Sequence, residues 1–139
     1  MKRNKFIVIG SGRLGSSIAT KMSEMGEDVL IIDANDDAFR KLQESFSGYE
    51  VIGDATDLGT LERANIKHAR TVVVTTDSDN INLFIAHVCF YIYNVPRIYV
   101  RLNDTDKGQL LEGTDIQPIF PFNLSINAFL SMYNGGDNA

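Results

Sequence analysis

Short apolar runs at residues 6–9, 29–32, 49–52, 71–75, 97–101 and 117–121 punctuate the chain, and polar or glycine-bearing residues follow them. The first run is β-branched at Ile7, Val8 and Ile9, the composition of a strand buried on both faces. Helix-forming stretches lie between the runs. Residues 16–24 predict a helix that Gly26 closes, and residues 38–46 predict another with Phe39, Leu42 and Phe46 as its apolar stripe. Shorter helices are expected over 57–64 and over 107–111, the latter ended by Gly113. A last amphipathic helix is expected over 124–133, with Ile126, Phe129, Leu130 and Met132 on its apolar side and a frayed end at 135–139.

The helix predicted over 80–93, capped by Ser78 or Asp79, breaks the single-stripe pattern. Ile81, Leu83, Phe84, Ile85, Val88, Cys89, Phe90, Tyr91 and Ile92 place apolar side chains on more than one of its faces. A surface helix on a sheet shows one stripe. Such a helix is either buried deeply within its own domain or turns its second face to another subunit, and in so small a domain the subunit contact is expected.

Between the first two runs stands Gly10-Ser11-Gly12-Arg13-Leu14-Gly15, which has G-x-G-x-x-G spacing. Gly10 permits the tight turn out of the strand, Gly12 lets the backbone approach a phosphate, and Gly15 lets the helix pack on the sheet. Helix-start amides and the helix dipole then attract an anion. The second run ends in Asp33, placed to hydrogen-bond a ribose diol. With strand and helix alternating throughout, the expected fold is α/β: a doubly wound, mainly parallel six-stranded Rossmann-like sheet with helices on both faces. Residues 1–139 are read as one nucleotide-binding domain.

Composition narrows the function. At 44% hydrophobic the chain can bury a core, and its net charge of −5 argues against nucleic acid or anionic lipid as partners. Cys89 is the only cysteine, so no internal disulfide can form and a reducing, cytosolic setting is expected. No run approaches the length of a membrane span or signal peptide, so direct membrane insertion is not expected.

Ligands of open α/β sheets sit at the carboxyl ends of the strands. Polar residues gather there: Ser11 and Arg13 after the first strand, Asp33 after the second, Asp54 and Thr56 flanking Ala55 after the third. Thr75, Thr76 and Asp77 follow the fourth, and Arg101 and Asn103 the fifth. Arg13 is placed to pair with a phosphate. Asp33 is followed by Ala34, Asn35, Asp36 and Asp37, with no arginine to receive a 2′-phosphate, which favours NAD(H) or an adenosine nucleotide over NADP(H). No catalytic set emerges. His87 lies on the apolar helix, His68 in a turn, none of the 5 tyrosines is followed four positions later by lysine, and the glycine loop lacks a P-loop ending. No Cys/His cluster suggests a metal. A small NAD-dependent oxidoreductase lobe is the alternative from another class, and an oligomerisation scaffold with a vestigial glycine loop is a third.

The chain resembles the regulator-of-potassium-conductance domain, also called the KTN or TrkA-N domain, from about Lys5 to Met132. The glycine loop, Asp33, Gly53-Asp54-Ala55-Thr56, Thr75-Thr76-Asp77-Ser78-Asp79 and Val100-Arg101-Leu102-Asn103 carry the likeness. The resemblance implies a cytosolic regulatory domain of a potassium channel or transporter that is not an enzyme. Such domains bind NAD(H) or ATP/ADP, pair partly through the helix after the fourth strand, and assemble into rings beneath the pore. It also implies that Arg13 reaches a nucleotide phosphate. Two features depart from the family. Phe122 follows Pro121 where several members carry a glutamate, and no C-terminal ligand-binding lobe is present in this chain.

Overall fold

The structure is a computed structural model that describes residues 2–137. Its strands are β1 (Lys5–Ile9), β2 (Asp28–Asp33), β3 (Tyr49–Ile52), β4 (Ala69–Val74), β5 (Arg97–Arg101) and β6 (Gln117–Ile119). They form a 6-stranded sheet in the order β3-β2-β1-β4-β5-β6. Every pairing is parallel. The helices are α1 (Arg13–Glu24), α2 (Leu58–Arg63), α3 (Asp79–Tyr91) and α4 (Pro121–Asp137), with 3-10 helices at Asp36–Lys41, Ile66–His68 and Thr105–Leu111. The order reverses between β1 and β4, both of which start from the middle of the sheet, and so the switch point lies beside the glycine loop.

Alternation along β1 divides the core. Phe6 and Val8 point to the face covered by α1 and the first 3-10 helix, where they join Ala19, Val29, Ile31, Phe39 and Val73. Ile7 and Ile9 point to the opposite face, where α2 and α3 contribute Leu61, Leu83, Ile85, Ala86, Val88 and Cys89. Fully burying a Val, Leu, Ile or Phe side chain is worth about 1.5–3 kcal/mol, so the central strands carry much of the stability. Helices therefore stand on both faces, as the alternation of elements predicts.

The expected helix over 38–46 is not formed. The chain makes a 3-10 helix from Asp36 to Lys41, and Leu42 turns to an extended conformation with φ −69 and ψ 138. Phe39, Leu42 and Phe46 nevertheless pack on one cluster, so their spacing marks a core-facing surface rather than a helix. The segment is held close to the sheet instead: Ser47 N donates to Ser23 Oγ at 3.0 Å, and a Cβ on Gly48 would lie 2.2 Å from the Val29 carbonyl oxygen. A helical path through residue 46 is incompatible with that approach.

At the other end, α4 begins earlier than expected and runs through Asp137, so residues 135–137 are helical rather than frayed. Residues 138 and 139 lie outside the described residues. Residues 122–135 of α4 are all exposed, including Phe122, Leu124, Phe129 and Tyr133. A helix of this composition with no packed face lacks the tertiary contacts that ordinarily stabilise one. Phe84 and Tyr91 of α3, and Ile92 just past its end, are likewise exposed, while Leu83, Ile85, Val88 and Cys89 are buried. The two apolar faces of that helix thus separate into one packed on the sheet and one open.

Candidate nucleotide-binding cleft

Backbone hydrogen bonds carry the strand ladders one residue past the strand ends. Gly10 N donates to Ile32 O at 2.8 Å, Gly53 N to Asp33 O at 3.0 Å, and Thr75 N to Ile9 O at 2.7 Å. The loops after β1, β2, β3 and β4 therefore open on one level. Gly10 has a φ of 101, in the left-handed region that favours glycine, and it turns the chain away from the sheet. Gly15 packs so closely that a Cβ there would lie 1.8 Å from the Gly10 carbonyl oxygen and 2.5 Å from Thr75 Oγ1. Gly12, by contrast, has nothing within 4 Å of an added Cβ, which leaves open space in front of its backbone.

Gly12 is the N-cap of α1, and no side chain caps that helix start. The first intrahelical bond is made by Ser16 N to Gly12 O at 2.9 Å. The amides of residues 13–15 precede it and are free for an anion, which the helix dipole also favours.

Asp33 faces this helix start with its carboxylate fixed from both sides. Oδ2 accepts from Ser11 N at 2.7 Å and Oδ1 from Asn35 N at 2.9 Å. Each oxygen keeps a lone pair for a further donor, such as a ribose hydroxyl. Ser11 is fully buried, and its hydroxyl bonds Ser16 Oγ at 2.9 Å and the Ala38 carbonyl at 3.1 Å. That side chain braces the loop, and with Ser11 N given to Asp33 and Ser11 O accepting from Ser16 Oγ, the residue shapes the cleft rather than bonding a ligand. On the far wall, Asp54 Oδ1 accepts from Thr56 N and from Thr56 Oγ1, and these bonds hold the Asp54 carboxyl below its usual range. Asp54 therefore stays ionised at neutral pH.

A cleft of about 360 Å³ gathers these residues. Of the sequence-predicted site, Gly10, Ser11, Gly12, Asp33, Asp54, Ala55, Thr75, Thr76 and Asp77 line it. Arg13 lines a neighbouring cavity, and Leu14, Gly15 and Arg101 line neither. Gly15 acts through packing, as described. Arg101 stands at the end of β5, where its carbonyl accepts from Asn82 Nδ2 at 3.0 Å. Neither histidine and not Cys89 borders the cleft. His87 places Nδ1 at 2.7 Å from Leu83 O and Nε2 at 3.1 Å from Leu110 O. Among the described residues no group of three or more His, Cys, Asp or Glu could hold a metal ion. A second cavity of about 360 Å³ lies towards the amino ends of β1, β4 and β5, against Ile18 and Met22 of α1. It touches none of the glycine-loop residues.

Sequence reasoning missed Asn82, Lys41 and the isoleucine wall. Asn82 is fully buried; its Oδ1 accepts from Thr76 N and its Nδ2 donates to Thr76 O and Arg101 O, each at 3.0 Å. It fastens the end of β4 to the end of β5 and so sets Thr76 on the cleft wall. A polar residue inside an otherwise apolar helix stretch was the available signal. Lys41 borders the cleft because the 3-10 helix ends there, a path the predicted α-helix would not give. Ile81 and Ile85 of α3 complete the apolar wall.

Known proteins resemble this chain in sequence and in fold. The chain is 35% identical over 81% of its length to a Trk system potassium uptake protein TrkA homolog of Pyrococcus horikoshii, covering 49% of that protein. It spans about half the length of the curated relatives it matches. Its fold superposes on the GsuK channel bound to NAD with a TM-score of 0.82 at 24% identity, over 100% of this chain and 25% of that one. GsuK bound to ADP gives a TM-score of 0.77 at 25% identity, over 93% of this chain and 33% of that one. The TrkA-N domain profile matches residues 6–120, and the chain belongs to the TrkA-N domain family.

Proposed function

We propose that this chain is a non-catalytic nucleotide sensor that regulates a potassium channel or transporter from the cytosolic side of the membrane. The observation that carries the reading is the pairing of an uncapped α1 start with an Asp33 carboxylate fixed by Ser11 N and Asn35 N. One group suits a phosphate and the other a ribose diol, and both face one cleft. GsuK, which shares the fold, binds NAD and ADP, and this supports an adenine nucleotide or NAD(H) as the ligand here. Asp33 disfavours NADP(H), because a 2′-phosphate would stand against its carboxylate. The cleft residues bind and orient; no nucleophile with an adjacent base faces the space, and so turnover is not assigned to it.

Regulation requires that the ligand favour one arrangement of an assembly over another. Two surfaces support self-assembly. They are the open face of α3, with Phe84, Tyr91 and Ile92, and α4, whose residues 121–136 carry no charge. A dimer that builds into a ring beneath the pore would cover both, with the membrane subunit as a partner. No helix is long and apolar enough to cross a membrane among the described residues.

The test is a thermal-shift and calorimetric panel of NAD⁺, NADH, NADPH, ATP, ADP and AMP on the wild type, Gly12→Asp and Asp33→Ala. A ligand at 100 times its Kd adds about 2.7 kcal/mol, a shift of several degrees in a domain of this size. Binding of NAD(H) or an adenosine nucleotide, lost in both variants and weaker for NADPH, is the expected result. No response to any of the six would leave a scaffold, and steady NADH oxidation with a supplied small hydride acceptor and this protein as the sole catalyst would favour the oxidoreductase alternative.

A further inference from the structure

His87 stands on α3 with both ring nitrogens against carbonyl oxygens. Nδ1 lies 2.7 Å from Leu83 O, one turn back on the same helix, and Nε2 lies 3.1 Å from Leu110 O. Leu110 belongs to the 3-10 helix at Thr105–Leu111, in the crossover from β5 to β6. A carbonyl oxygen only accepts, so each contact requires a proton on the ring nitrogen. The neutral imidazole carries one N–H and the imidazolium two, so only the charged ring makes both bonds. In the neutral ring one nitrogen would turn its lone pair towards a carbonyl. Leu110 O accepts from no backbone amide among the described residues, and it sits in the last turn of its helix, where unpaired carbonyls favour a cation.

The groups around the ring leave its charge to these carbonyls. No ion pair involves His87 among the described residues. The acidic residue of its own helix is Asp79, whose carboxylate accepts from Asn103 N and Asp104 N. The 105–111 helix carries Asp106 and Lys107, with Glu112 as its C-cap, and the Lys107 ammonium donates to Asn80 Oδ1 at 3.0 Å. Tyr91, one turn further along α3, stacks on the imidazole with centroids 6.0 Å apart and planes 10° apart. On its sheet side α3 buries Cys89 among Val72, Val74, Ile98 and Val100, and those four carry no charge.

We propose that His87 is a proton-operated latch between α3 and the 105–111 helix. Charged, the ring ties the two elements together. On losing its proton it keeps the Nδ1–H bond to Leu83 O, which is local to its own helix, and releases Leu110 O. Imidazoles as a class change charge between about pH 5 and 8, and that is the window in which release is to be sought. Leu110 and Tyr91 stand exposed beside the latch, so its opening alters the apolar surface that α3 turns outward. The latch is independent of the nucleotide reading, because neither His87 nor Leu110 borders the cleft.

Nitrogen-15 NMR of the whole chain across this pH range, on the wild type and His87→Gln, tests the latch. Both ring nitrogens of His87 should carry protons at the acid end and Nδ1 alone at the alkaline end. The amides of Leu110, Leu111 and Glu112 should move in one step that shares the midpoint of the ring. Backbone order parameters over residues 107–111 should fall above that midpoint, from rigid values of about 0.85 towards 0.6. His87→Gln, which does not titrate, should abolish the step, with His68, whose Nδ1 lies 3.2 Å from Lys2 O, as the internal reference. A neutral ring found as the Nε2–H tautomer would keep its bond to Leu110 O and overturn the proposal. A 107–111 step that survives in His87→Gln, or whose midpoint departs from that of the ring, would overturn it equally. Should His87→Gln fail to fold, the wild-type tautomer and the shared midpoint decide the question between them.

Discussion

Substituting alanine at Gly15 tests whether the glycine loop is a packing device as well as a ligand cradle. The third residue of a helix normally gains from such a change, by up to about 1 kcal/mol. Here the new Cβ would lie 1.8 Å from the Gly10 carbonyl oxygen and 2.5 Å from Thr75 Oγ1. A carbon and a carbonyl oxygen approach no closer than about 3.3 Å without repulsion, so α1 would have to retreat by about 1.5 Å. The nearest obstacle is backbone, which cannot rotate aside. Retreat would also strain the Thr75 Oγ1 bond to Gly10 O and the Ser11–Ser16 pair. Overpacking of this kind costs about 3 kcal/mol, which exceeds the propensity gain and lowers the melting midpoint by about 10 °C. Gly12→Ala is the control, since its Cβ meets nothing within 4 Å and the helix loses only a favourable N-cap, under about 1 kcal/mol. Urea unfolding followed by circular dichroism reads both variants. A Gly15→Ala protein within 0.5 kcal/mol of wild type, or a Gly12→Ala protein equally damaged, would refute the close packing of α1 on the β1 turn.

Three further outcomes follow from the same coordinates. Asn82→Leu leaves Thr76 N–H, Thr76 C=O and Arg101 C=O without their partner, and urea unfolding should show a loss of about 3 kcal/mol; a neutral result would mean water replaces the side chain. Burial pushes the Cys89 thiol from 9.0 up to about 12. Its contribution is therefore intact below pH 9.0 and fades as pH rises from there towards 12, by about 1.4 kcal/mol per unit. Unfolding measured from pH 8 to 11 should be steeper in pH for wild type than for Cys89→Ala, and identical slopes would contradict the burial. Phe84→Glu, Ile92→Glu and Phe129→Glu should each lower the sedimentation coefficient by breaking assembly, and a wild type already monomeric would remove the basis for an α3 and α4 interface.

The fold was legible because its signals are local and agree with one another. The first three apolar runs end at Gly10, Asp33 and Gly53, and α1 begins at Arg13, inside the glycine motif and three residues ahead of the expected start at residue 16. The structure departs from the sequence reading where distant parts of the chain decide. The 38–46 spacing resembles a helix, yet Gly48 must pass beside Val29 and Ser47 must reach Ser23, so tertiary contact overrides periodicity. The cleft floor was legible for the same reason as the fold, since each strand delivers its next residue there. Lys41, Ile81, Ile85 and Asn82 were not, because their positions follow from how far a turn or helix carries the chain back across the sheet. Ser11 shows the converse: a polar residue in the right loop, with its hydroxyl consumed by Ser16 and Ala38.

A sensor needs a route from its ligand to its assembly, and α3 supplies a short one. Ile81 and Ile85 line the cleft, while Phe84 and Ile92 stand on the open side of the same segment. Ser78 caps the helix start, and the carboxylate of Asp79 accepts from Asn103 N at 2.8 Å and Asp104 N at 2.9 Å. Asn82 adds its bonds to Thr76 and Arg101. These ties fasten the N-terminal turns of α3 to the ends of β4 and β5, which on the proposed sensor function is the connection by which a ligand at Thr76 or Ile81 would act on α3. Such coupling is reciprocal: a nucleotide that strengthens assembly by some factor is itself bound more tightly in the assembly by that factor. A ligand touching only Asp33 and the α1 start would bind both arrangements equally and regulate nothing. On the proposed sensor function, differential affinity therefore has to arise where the cleft meets α3, at Ile81 and Ile85.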